Sequence, residues 1–206
     1  MKKLIISPEQ SLTFSDYFKL RARTEDILEY FGYKKINEKL HFEQSSLEMP
    51  MFDYLSSQIE DHLIHISLEN EITRREFLIA PILSFVRHLT QAKLNSEYWF
   101  EVSHQLKGSL DYYLRSENDL LVVEAKNADL TRAFAQLAVE LVALDQVDET
   151  KKKIIYGAVS TGQEWQFGKL DRTSKTFHQG INVYVLPNNL EEILRILIGI
   201  LGNRIN

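Results

Sequence analysis

The sequence predicts an α/β fold, a mixed central sheet flanked by helices and joined to an N-terminal mainly helical layer. Three observations predict it. Two β-prone runs, Leu110–Leu114 and Leu120–Ala125, flank the polar stretch Ser116-Glu117-Asn118-Asp119, which is the pattern of a hairpin. Asn127 to Asp145 carries the most regular helical stripe in the chain, and the β-rich run Ile154–Val159 follows it. A helix over 73–93 and a strand over 98–106 precede the hairpin. A hairpin makes antiparallel neighbours, whereas strand, helix, strand in succession requires a crossover that leaves two strands parallel. The order of elements is αβββαβ.

From the start of the chain, residues 11–31 read as an amphipathic helix with an irregular apolar stripe of Phe14, Phe18, Ile27, Leu28 and Phe31, ended by Gly32. Ile36 to Glu43 alternates loosely and reads as a short strand. Met51 to Ile66 reads as a helix, with Leu55, Ile59, Leu63 and Ile66 on one side. His62 and His65 on it have a spacing seen at metal sites, but no third ligand stands near them, and they read as ordinary histidines. Residues 1–70 are expected to form a mainly helical subdomain, and 71–206 the main domain.

The helix over 73–93 opens with Thr73-Arg74-Arg75-Glu76, the form of a capping box, and Pro81 kinks it or starts its main part. Tyr98, Phe100 and Val102 alternate in the next strand. In the helix over 127–145, Asn127 or Asp129 is the candidate cap. Leu130, Phe134, Leu137, Leu141 and Leu144 form its core stripe, and Arg132, Gln136 and Glu140 a separate polar stripe. Glu164–Leu170 and Phe177–Leu186 extend the sheet, with Trp165 and Phe167 as packing residues. Pro187 stops the last strand, and Leu190–Leu201 is a helix apolar around most of its circumference, buried either in its own core or against a partner.

Composition narrows the function. The chain has 206 residues and no cysteine, which removes disulfides, thiol catalysis and cysteine zinc sites. The apolar run at the start is too short for a secretory leader, and none approaches the ~20 residues of a membrane span, so a cytoplasmic location without membrane attachment is expected. A net charge of −5 argues against wholesale coating of nucleic acid but not against a local phosphate-binding rim.

The hairpin carries the chemistry. A turn centred between Glu117 and Asn118 places Asp111 directly opposite Glu124, and alternation puts Lys126 on the same face. Leu110, Tyr112, Leu114, Leu121, Val123 and Ala125 are expected on the other. Like charges directly opposed across a ladder are destabilising. A divalent cation between them removes the conflict, since Mg²⁺ takes hard oxygen ligands, commonly one or two carboxylates plus phosphate. Acid, acid and lysine on one face form a set suited to metal-assisted phosphodiester hydrolysis.

Asp111 followed by Glu124-Ala125-Lys126 after a short hairpin resembles the PD-(D/E)xK nuclease superfamily, with Leu110-Asp111 in place of its Pro-Asp. The resemblance spans residues 73–162 and implies a restriction-endonuclease-like αβββαβ core. It further implies a Mg²⁺-dependent endonuclease, with Mn²⁺ substituting, acting on DNA; no residue separates DNA from RNA. Asp111, Glu124 and the carbonyl of Ala125 are the implied metal ligands, and Lys126 the group that positions water. Glu76 matches an acidic residue on the preceding helix, and Gln136 the glutamine of a Gln-x-x-x-Tyr pattern in the related RecB-like branch, where Glu140 replaces the tyrosine. Arg74, Arg75, Lys107, Arg132 and Lys151–Lys153 are the basic candidates for backbone contact. A homodimer fits cleavage of two strands with one site per chain. Two other readings stay open: a fold of this kind kept as a non-catalytic binding or assembly module, and a purely structural ion pair of Glu124 with Lys126.

Overall fold

A computed structural model describes residues 5–116, 120–125, 129–149 and 152–202. The elements are α1 (Phe14–Lys19), α2 (Thr24–Tyr30), β1 (Lys34–Glu38), α3 (Phe52–His65), α4 (Glu71–Arg74), a π-helical turn (Arg75–Ile79), α5 (Ala80–Thr90), β2 (Lys93–Ser103), β3 (Leu106–Arg115), β4 (Leu120–Ala125), α6 (Leu130–Val147), β5 (Ile154–Ser160), β6 (Glu164–Asp171), β7 (Thr176–Gly180), β8 (Tyr184–Val185) and α7 (Leu190–Leu201). The strands form one eight-stranded mixed sheet in the order β1-β7-β6-β5-β4-β3-β2, with β8 paired to β6. The α/β class is as expected. So is the parallel pairing of β4 with β5 across α6.

Each face of the sheet has its own core. Helices α3, α5 and α7 and the π turn pack on Tyr112, Leu114, Leu121, Val123, Ala125, Ala158, Trp165 and Phe167. Helices α1, α2 and α6 pack on Leu110, Tyr113, Val122, Ile155, Val159, Leu170 and Phe177. On α6, Ala133 to Leu144 are all buried. The helix comes in close because β5 has a glycine beneath it: a Cβ on Gly157 would meet Leu137 Cδ1 at 2.7 Å.

The stretch 1–70 does not stand apart from the rest. β1 pairs in parallel with β7, and Phe14, Tyr17, Ile27 and Leu28 share a core with α6. The single helix expected over 11–31 is two. Leu20 is extended, and Arg23 restarts the helix with two hydrogen bonds to Asp26. The irregular stripe is the reason, since its two halves cannot stay in phase on one axis.

The helix expected to begin at Thr73 begins three residues earlier. Asn70 caps it, its Oδ1 accepting the Thr73 N–H at 2.8 Å, and the capping box at Thr73 does not form. Within the run the helix widens: the Ala80 N–H donates to the Arg75 carbonyl, a π spacing. Pro81 has no N–H for the carbonyl of Phe77 four residues back. The His62 Nδ1–H donates to that carbonyl at 2.7 Å instead, which gives this histidine a structural role. Gln91 turns left-handed (φ 55°) and stops α5, so β2 starts at Lys93, five residues before the expected Tyr98, and Leu106 opens β3 rather than closing β2.

Two further corrections concern the C-terminal part. The strand expected over 177–186 is split in two: β7 lies between β1 and β6 and ends at Gly180, and β8 pairs with β6 at Glu164↔Val185 and Trp165↔Tyr184. α7 buries Leu190, Ile193, Leu194, Ile196, Leu197, Ile198, Ile200 and Leu201 inside the chain's own core, so its apolar surface is not free to form a dimer interface. Among the described residues no helix is long and apolar enough to cross a membrane.

The two cores hold several tyrosines whose hydroxyls titrate late. Burial raises the pKa of Tyr17, Tyr33, Tyr112, Tyr113 and Tyr184, and pushes Tyr113 up to about 12. A raised folded-state pKa means stability that is complete below the unfolded value, about 10, and lost as pH climbs toward the folded one. Unfolding is therefore expected to set in between pH 10 and about 12, with tyrosinate absorbance and loss of helical dichroism rising together. Full ionisation of these tyrosines while the dichroism stays native would contradict it.

Candidate functional site

The hairpin register is the one its symmetric turn predicts. Tyr112 pairs with Val123, Tyr113 with Val122 and Leu114 with Leu121, so Asp111 is the next residue along, across from Glu124. The ladder stops there. β3 stays with β2 down to Ser103↔Leu106, and β4 stays with β5 up to Ala125↔Ser160, so the two strands part at Asp111 and Glu124. At that fork the Ala125 N–H, with no β3 carbonyl to meet, donates to Asp111 Oδ2 at 2.9 Å.

Asp111 also marks an irregularity in β3. Leu110 lies in the α6-side core with Tyr113, whereas Tyr112 and Leu114 face the other way. This corrects the expectation that Leu110 shares the face of Tyr112. The cause lies in β2: Glu97, across from Asp111 between the pairs Ser96↔Tyr112 and Tyr98↔Leu110, is left-handed with φ 50°. A non-glycine residue in that region is strained and re-aims its neighbours.

Glu124 is fully buried. Its neighbours Val122 in β4 and Val159 in β5 belong to the α6-side core, so its side chain points toward α6. That helix contributes two further buried polar groups. Gln136 is 3% exposed and Glu140 0%, and the Gln136 amide Nε2–H donates to Glu140 Oε1 at 2.9 Å. Gln136 Oε1 has no hydrogen-bond partner among the described residues. The adjacent Leu137 sits over Gly157, whose partner in β4 is Val122, two residues before Glu124. Gln136 and Glu140 thus form a buried polar stripe, not a solvent-facing one, on a helix that meets the sheet at the adjacent Leu137.

The preceding helix supplies a different residue from the one expected. Glu76 is exposed. Arg75 reaches the fork instead, with Nη1 3.4 Å from Asp111 Oδ1, Nη2 2.6 Å from Glu97 Oε1, and its guanidinium carbon 5.2 Å from the centre of the Tyr112 ring. Burial works against the charge of Arg75, but Asp111, Tyr112 and Glu97 together outweigh it and hold the guanidinium more firmly protonated than usual. Arg75 stands three, four and seven residues before the buried Leu78, Ile79 and Ile82, so it lies toward the packed side of the helix, and Glu76 beside it does not. That spacing was the signal available in sequence.

Lys126 and Lys151 lie outside the described residues. Of the other basic candidates, Arg132 pairs with Asp129 at 3.1 Å, and Arg74 donates from Nε to the Leu68 carbonyl. Beyond the ends of β4 and β5 lies an open cleft lined by Arg74, Asp129, Thr131, Thr161, Gln163 and Gln166. Crevices outside the carboxyl ends of parallel strands are common ligand sites.

Among the described residues no three acidic or histidine side chains converge as a metal cluster. A cation at the fork would rest on the carboxylates of Asp111 and Glu124 with the carbonyl of Ala125. Every one of these is a hard oxygen, the donor type that suits Mg²⁺, Mn²⁺ or Ca²⁺. The sequence matches no protein-family model, and none of the curated proteins compared with it is significantly similar.

Proposed function

We propose that the protein is a metal-dependent nuclease of the PD-(D/E)xK type that hydrolyses phosphodiester bonds, most readily in DNA. What carries the reading is the fork at Asp111 and Glu124, where the Asp111 carboxylate takes the Ala125 N–H in place of a ladder partner beside a buried glutamate. The order α5, β2, β3, β4, α6, β5 with β4 parallel to β5 supports it, because it is the αβββαβ order of the restriction-endonuclease-like core.

In this reading Asp111 and Glu124 hold Mg²⁺, with the Ala125 carbonyl as a further ligand. The bound ion supplies Lewis-acid stabilisation of the phosphate and acidifies water. The Ala125 N–H fixes the rotamer of Asp111 and leaves its second oxygen for the metal. Lys126 positions the attacking water and offsets charge that develops on the phosphate. Gln136 and Glu140 brace the α6 side of the centre, and Glu76, exposed on the helix, is left to contact substrate or the outer shell. The cleft beyond β4 and β5 receives the nucleic-acid backbone.

The test is incubation of supercoiled plasmid and single-stranded DNA with the protein in Mg²⁺ or Mn²⁺, with and without chelator, beside Asp111→Ala and Lys126→Ala. Cleavage that needs the metal and both side chains is expected. Cutting by either variant at the wild-type rate removes the assignment.

One observation favours a second reading. Asp111 already has a cationic neighbour in Arg75, so the fork tolerates its carboxylates without a metal. A non-catalytic nucleic-acid-binding or assembly module has that property, and DNA binding without cutting, unaffected by chelator, selects it.

A further inference from the structure

Arg75 is held by unequal contacts. The bond to Glu97 is short, at 2.6 Å, and the guanidinium lies over Tyr112, whose hydroxyl donates to the Arg75 carbonyl at 3.4 Å. The contact with Asp111 is single-armed and long, at 3.4 Å, where charge-assisted bonds run about 2.7–2.9 Å. Two backbone irregularities maintain this arrangement. The π turn begins at Arg75, and Glu97 is left-handed opposite Asp111. Wide turns of this kind recur at functional sites, and strained residues persist where the surroundings over-determine them. Arg75 is only 19% exposed and Asp111 14%, so neither charge is fully screened by water.

We infer that Arg75 is a resident counter-ion for Asp111 that gives way to the metal and then serves the phosphate. The inference rests on the nuclease reading of the fork and adds a positioning residue to it. In the metal-free protein the guanidinium offsets the charge on Asp111. A divalent cation competes for the same oxygen and displaces only the weak arm, because Glu97 and Tyr112 keep the side chain in place. The Nη1 donor released from Asp111 would then be available to a phosphate oxygen at the same site. A guanidinium suits that exchange because its planar fork serves a carboxylate with one edge and a phosphate with another.

Mn²⁺ binding, measured by titration calorimetry without nucleic acid, separates this from a structural role. Arg75→Gln is expected to bind Mn²⁺ about fivefold more tightly, the effect of removing a competing contact worth about 1 kcal/mol. Glu97→Gln is expected to move the other way, since a guanidinium freed from Glu97 closes on Asp111. Arg75→Gln is also expected to bind a phosphorothioate duplex more weakly than wild type in Mn²⁺, with a smaller difference in chelator. Unchanged or weaker Mn²⁺ binding by Arg75→Gln overturns the inference. If that variant does not fold, as judged by circular dichroism, the Glu97→Gln result decides alone, and unchanged or tighter binding there overturns it. Asp111→Asn is the control for the underlying reading: wild-type Mn²⁺ affinity in that variant removes the metal site itself, whereas loss of binding there with no effect at Arg75 or Glu97 removes only the counter-ion.

Discussion

Asp111→Asn is expected to fold like the wild type and to lose metal-dependent cleavage by about three orders of magnitude. Asparagine keeps the shape of the side chain and an oxygen that accepts the Ala125 N–H, so the fork remains closed on that side. It surrenders the negative charge. The ion pair with Arg75 that goes with it is a long one, and Arg75 retains Glu97 and Tyr112, so the stability cost stays within about 1 kcal/mol. The chemical cost is larger, because a carboxylate ligand is what fixes the ion against the phosphate. Lewis-acid stabilisation of several kcal/mol, at about 1.4 kcal/mol per factor of ten, gives roughly a thousandfold. Asp111→Ala differs in kind: it also leaves the Ala125 N–H without its acceptor at a buried strand end, which costs about 1–3 kcal/mol of stability. Comparison of the two by thermal melt and cleavage rate separates the ligand from the brace. Asn cutting within tenfold of wild type removes Asp111 from the chemistry.

Local patterns in this sequence were readable and long-range ones were not. The hairpin register follows from a period of two and a symmetric turn, both contained in residues 110–125, and the strands pair as that predicts. The helix over 130–147 and its parallel crossover follow from one regular stripe and one β-rich run. Pairing of β1 with β7 joins residues about 140 positions apart, and a five-residue alternation names no partner. The site was legible in the same way. Asp111 and Glu124 come from one hairpin, and its register sets their positions across from one another where the ladder ends. Arg75 was missed because the resemblance directed attention to an acidic residue on this helix, although Arg75 shares the i, i+3, i+7 stripe of the buried Leu78 and Ile82. Gln136 and Glu140 read as a polar stripe apart from the core stripe, and nothing in their spacing says that it is buried. Their burial shows that both faces of α6 are covered, by the sheet and by α1 and α2, a tertiary fact with no local signature.

Gly199 tests the packing behind the site. Glycine inside an exposed helix usually costs about 1 kcal/mol relative to alanine, so Gly→Ala changes there normally stabilise. Gly199 is expected to invert that sign. The extended segment 43–45 runs along α7: the Ser45 N–H donates to the Arg195 carbonyl at 3.0 Å, and Arg195 Nη1 donates back to the Ser45 carbonyl at 2.8 Å. Four residues on, one helical turn, a Cβ on Gly199 would overlap the carbonyl oxygen of Glu43, and backbone cannot move aside as a flexible side chain can. Phe42, which precedes this segment, packs against Tyr156 and Phe167 of the sheet, so a displaced 43–45 strap disturbs the core on that face. Overpacking of this kind costs about 1–3 kcal/mol or more. For a chain of this size, at about 2–4 °C per kcal/mol, that amounts to a melting temperature lower by roughly 2–12 °C. Arg195→Ala, which removes one hydrogen bond without adding an atom, is expected to lower it by less. An alanine variant at 199 as stable as wild type would mean that the strap does not lie against α7, and the core on this face would then be open where the structure has it sealed.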